Sequence, residues 1–138
     1  MHPTLRLTLA LIAGIAAALI TIMVIETVGH SMYPPPALDY NDTEALRAYV
    51  DGLPLGAKLI VLAAWLAGTI DGVFVAGLVN RGRYGLCAAV IGGLVLAATL
   101  FNLWMIPHPL WLALAGIVGI PLCAAMTARF LPILLNKA

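Results

Sequence analysis

The 138-residue chain is 63% hydrophobic and only 9% charged, with a formal net charge of +1. A soluble domain carries about 25% charged residues, so this composition excludes a water-soluble monomer and places the chain in a lipid bilayer. The near-neutral balance speaks against a nucleic-acid partner, and two cysteines without a CxxC spacing (Cys87, Cys123) make neither a zinc nor a disulfide framework.

A spanning helix needs about 20 mainly apolar residues. Four stretches qualify: 5–29, 55–79, 84–106 and 110–131. The first has a basic Arg6 before an apolar run, as a signal peptide would, but the run continues unbroken to Ile25. It reads as the first transmembrane helix. The fold class expected is all-α: a single four-helix transmembrane bundle whose short connections force antiparallel neighbours.

Residues 30–54 form the one long connection. Tyr33-Pro34-Pro35-Pro36 is stiff, because proline fixes φ and removes a donor. Asn41 and Glu44 then stand in capping-box spacing, Leu46, Tyr49 and Val50 share one face, and Gly52 with Pro54 ends the run. This predicts a short amphipathic helix over 42–51, lying on the outer end of the bundle as a cover or a lid.

The second span holds the densest pattern. Ala64, Gly68, Gly72 and Ala76 recur every fourth residue, one stripe of small side chains with a GxxxG pair that allows close helix approach in lipid. The first span carries a similar stripe, Ala10, Gly14 and Ala18. Beside the longer stripe sits Asp71, ten residues from Arg81 and therefore about 15 Å into the membrane. A rise of about 1.5 Å per residue puts Gly14, Gly92, Gly93, Gly119 and Pro121 near the same depth, a narrow waist with no Lys, Arg or His. Asp71 then has two readings. It hydrogen-bonds a hydroxyl such as Thr99 or Thr21, or it is a proton or cation site.

Basic residues set the orientation. Arg6, Arg81, Arg83, Arg129 and Lys137 share one side; Arg47 and Lys58 share the other with Asp39, Asp42, Glu44 and Asp51. By the positive-inside rule both termini are cytoplasmic, with Tyr33, Tyr40, Tyr49, Trp104 and Trp111 in the outer aromatic belt and Tyr84 and Phe130 in the inner one. Glu26, His30, Asn102, His108 and Lys58 gather at the outer end. They read either as the mouth of a path or as a Glu26–Lys58 ion pair with histidines at a wet interface; an E-x-x-x-H pair does not make a metal site. Cys87 and Cys123 are expected at equal depth as free thiols, Pro121 bends the last helix, and Trp65 is a packing residue with a possible stacking role.

Gly29-His30 followed by Tyr33-Pro34, then Trp65, Gly68-Thr69, Gly72, Asn102, Pro107-His108-Pro109 and Trp111, together resemble a group of small uncharacterised four-helix bacterial inner-membrane proteins. The resemblance implies the fold and the location, and no activity. No nucleophile–base pair, metal set or cofactor motif stands out, so a non-enzymatic role is expected. The first reading is an accessory protein that self-associates, or joins another membrane protein, through its small-residue faces. The second is a small transporter or channel using Asp71. The third is a binder of a lipid, quinone or pigment using Trp65 and the Pro121 bend.

Overall fold

The computed structural model describes residues 2–37, 39 and 41–135; Tyr40 and Lys137 lie outside them. Five helices follow one another: α1 (Pro3–Met32), α2 (Thr43–Gly52), α3 (Leu55–Val79), α4 (Tyr84–Met105) and α5 (Leu110–Leu135). Four of them are long and apolar enough to cross a membrane. Their outward faces carry large apolar side chains such as Ile20, Met23 and Val118, each more than half exposed, which only lipid would solvate well. This is a multi-pass membrane bundle with antiparallel sequential spans.

The spans end where backbone chemistry stops them. Pro3 opens α1 at a position where a missing N–H costs nothing. Gly82 turns the chain between α3 and α4 at φ 95°, a conformation that disfavours any residue with a Cβ. Pro121 and Pro132 both lie within α5. At the arginine-rich end, Arg6 Nε donates to the carbonyl of Val79 at 2.7 Å, satisfying a carbonyl at the end of α3.

α2 begins one residue later than the capping-box reading has it. Asp42 is the N-cap: its Oδ1 accepts from the amides of Glu44 at 3.0 Å and Ala45 at 3.1 Å, while Asn41 bonds back to Asp39. Either side chain has the right chemistry, and the turn geometry at Asp39 gives the role to Asp42. Leu46 and Val50 are buried beneath α2 and Tyr49 is half-buried, the amphipathic face read from the sequence.

α3 is the hub, touching α1, α4 and α5. Its small stripe meets the small stripe of α1 within the same chain. A Cβ at Gly72 would lie 2.8 Å from the Gly14 carbonyl oxygen and 2.9 Å from Ala18 Cβ; one at Gly14 would lie 2.6 Å from the Gly72 oxygen. Ala64 and Ala76 are fully buried along this seam, and at Gly68 a Cβ would be 3.0 Å from the Ala18 oxygen. Gly92 gives α4 a close approach to Ala124 of α5, and Gly119 makes room for Leu66. Gly93 does not belong to the waist: nothing lies within 4 Å of its Cβ position, because it faces outward from the α4–α5 contact. The same contact corrects the cysteine depths. Cys123 adjoins Ala124, one residue beyond the level of Gly92 and about 9 Å from Cys87 along the helix axes, and both thiols are free.

Candidate functional site: a vestibule under α2 and a groove between α1 and α4

α1 and α4 run parallel and make little contact. They come together near Gly14, where Ile91 Cδ1 would lie 3.2 Å from an added Cβ. Outward from that point their bulky side chains hold them apart. The gap is a groove of about 230 Å³, walled by Ile15, Leu19, Ile22 and Glu26 of α1 and by Ile91, Leu94, Val95, Ala98, Thr99 and Asn102 of α4. Ile15 to Glu26 and Ile91 to Asn102 are both eleven residues, so the groove is about 16 Å long, close to one leaflet of the hydrocarbon core.

Trp65 of α3 forms the groove floor and is 4% exposed. Its position rests on Gly116, where a Cβ would lie 3.0 Å from the indole, so a larger residue in α5 would push the ring into the groove. Thr69 donates to the Trp65 carbonyl at 2.7 Å and hides its own hydroxyl. In the sequence Gly116 is marked only as a second small residue one turn from Gly119.

A second chamber, also about 230 Å³, lies under α2. Glu26, Gly29, His30 and Tyr33 line it from α1, Tyr49 and Val50 from α2, Ala57 and Ile60 from α3, and Asn102, Ile106 and His108 from the far side. Glu26, Gly29, His30 and Tyr33 share a face because they fall at i, i+3, i+4 and i+7. Glu26 and Asn102 line both chambers, so they form a polar throat between a covered vestibule and an apolar groove.

His108 links the two. Its ring lies 5.9 Å from Trp65, tilted by 58°. Its Nδ1 is 2.7 Å from the Ile106 carbonyl, which can only accept, so the proton sits on Nδ1 and Nε2 is the remaining acceptor. Burial pushes the imidazole below its ordinary value, and the Ile106 bond offsets this in part. No Lys or Arg lines either chamber.

Lys58 is not at this throat. Its Nζ donates to the Asp51 carbonyl at 3.2 Å, tying the last turn of α2 to the start of α3, so the Glu26–Lys58 ion pair expected at the outer end does not form. The helix-end carbonyl attracts the ammonium as the dipole predicts. Glu26, His30, Asn102 and His108 do come together as read.

Asp71 lies elsewhere, half-buried at the α1–α3 seam, and lines neither chamber. Thr21 Oγ1 donates to its Oδ2 at 2.6 Å, one of the two hydroxyl partners foreseen; Thr99 is buried on α4. Near the arginine-rich end, Asn80 Nδ2 is buried without a hydrogen-bond partner among the described residues.

The fold and the two chambers define a multi-pass membrane protein with a one-leaflet apolar groove capped by a polar throat. Compared with protein-family models, with curated proteins and with solved structures, the chain matches none.

Proposed function

We propose that the protein binds an elongated amphiphile, its apolar tail in the α1–α4 groove and its polar head at Glu26, Asn102 and His108 beneath α2. The observation that carries this reading is that two apolar-walled chambers, the one under α2 richer in polar side chains, share Glu26 and Asn102. A site with apolar walls and a few convergent polar groups is the usual form of a small-molecule site. The head is uncharged and hydrogen-bonding. A phosphate would meet the Glu26 carboxyl with no lysine or arginine to offset it, whereas a hydroxyl or carbonyl head, as in a quinone or an isoprenoid alcohol, finds Glu26 and His108 Nε2 as acceptors and the Asn102 amide as a donor. The arginine bias supports a throat that faces away from the cytoplasm with both termini inside, and the resemblance supports a bacterial inner membrane as the host.

Self-association through the α1 and α3 stripes has less support, since those stripes pack against each other within one chain. Transport through Asp71 likewise has less support, since Asp71 lines neither of the two chambers.

The test uses tryptophan fluorescence in lipid nanodiscs. Trp104→Phe and Trp111→Phe leave Trp65 as the sole tryptophan, excited selectively at wavelengths that tyrosine does not absorb. A short-tailed quinone should quench it saturably, and Ala98→Phe, which fills the groove from an exposed position, should abolish saturation while leaving thermal unfolding unchanged. Linear quenching, equal with and without Ala98→Phe, would refute the site.

A further inference from the structure

A trough of about 510 Å³ runs between α4 and α5, formed by those two helices alone. It exists because its walls have almost no side chains. Gly85, Ala89 and Gly93 face Pro121, Ala125 and Ala128, and nothing lies within 4 Å of a Cβ built on Gly85 or Gly93. The helices touch at its floor, where Gly92 meets Ala124.

Two arginines flank in sequence the residues that line one end of this apolar trough. Arg83 precedes Gly85, and Arg129 follows Ala128 on the opposite helix. The Gly92–Ala124 contact sets the antiparallel register and puts Arg129 near the level of Cys87, about 6 Å along the axis from Arg83. Both arginines are exposed, and neither has a side-chain hydrogen bond or ion pair among the described residues, in contrast to Arg6, which caps α3.

Charge decides between the two occupants that fit an apolar trough. A second copy, related by a twofold axis along the membrane normal, would bring like arginines of both chains together at one rim, a costly arrangement. An anionic phospholipid brings a phosphate to two unpaired guanidiniums and lays an acyl chain along the alanines and glycines. We propose that the α4–α5 trough docks an anionic phospholipid of the leaflet on the arginine side, its phosphate held by Arg83 and Arg129. The site is separate from the α1–α4 groove in position, leaflet and head charge, and it stands whether or not that groove binds anything.

Native mass spectrometry of the full chain tests this, with dioleoyl phosphatidylglycerol and dioleoyl phosphatidylcholine as probes of equal chain length. The wild type should retain the anionic lipid with a preference of roughly thirtyfold, as two interfacial arginines would give. Arg83→Gln with Arg129→Gln should reduce the preference to about twofold or less. Gly93→Leu, which fills the trough where space is open, should reduce retention of both lipids. Equal retention of the two lipids by the wild type would overturn the proposal. So would an undiminished preference in the double variant, or a dimer that Gly93→Leu dissociates, since the trough would then be an interface between copies.

Discussion

Helix α1 makes two seams of opposite character. Against α3 it presents Ala10, Gly14 and Ala18 to a matching stripe, and the backbones approach until no Cβ fits at Gly14 or Gly72. Against α4 it presents Ile15, Leu19 and Ile22 to Ile91, Leu94 and Val95, and beyond the Ile91 contact the helices stand apart. In lipid no hydrophobic force draws helices together, so association relies on close packing and hydrogen bonds. Small residues therefore seal a seam, while branched residues prop one open. One helix uses both devices on two faces, giving a rigid pair beside an accessible groove.

The largest expected effect comes from breaking the sealed seam. Gly72→Leu forces a side chain into the Gly14 carbonyl and Ala18, so unfolding in mixed micelles should show a loss of about 3 kcal/mol or more. Gly93→Leu is the matched control at an open position, and its loss should stay within about 0.5 kcal/mol. If the two variants unfold alike, close packing at the α1–α3 seam does not hold the bundle together.

The Thr21–Asp71 bond lies on the sealed seam. A double-mutant cycle of Thr21→Ala and Asp71→Ala should give a coupling of about 1 kcal/mol, within the range for hydrogen bonds between membrane helices. A coupling near zero would leave Asp71 free for another role. The cover on the open seam can be loosened in turn. Asp42→Ala removes two amide bonds from the first turn of α2 and should cost about 1 kcal/mol locally. Hydrogen exchange should then rise in α2 while α1 and α3 keep their protection.

The smallest effect is a pH dependence at the throat. Burial holds the folded-state value of His108 below the ordinary 6.5. The unfolded chain therefore takes up a proton first on acidification. Stability from the neutral ring is fully present above the unfolded value and is lost as pH falls through the folded one. The melting temperature should decline between about pH 7 and pH 5. His108→Gln should flatten that decline, and an unchanged slope would assign it to other groups.

Much of this was legible from particular residues. Gly82 and the Pro107-His108-Pro109 turn mark the helix ends, and Leu46, Tyr49 and Val50 mark the face of α2 by period alone. Glu26, His30, Asn102 and His108 were gathered correctly because depth along a helix can be counted. Lys58 falls by count at the level of His30 and His108, but depth does not give azimuth, and the lysine reaches the Asp51 carbonyl. Gly93 was misassigned for the same reason, as its neighbour Gly92 takes the contact with Ala124 and leaves it facing outward.

The sequence by itself determined the membrane class, the four spans and the order of depths along each, since these follow from hydropathy and a fixed rise per residue. Only the tertiary structure decided which faces meet. The stripes on α1 and α3 were equally suited to a partner copy, and the opening between α1 and α4 has no signature in either helix alone. Both depend on how far one helix is rotated about its axis relative to another, and that rotation is settled when all the side chains pack together.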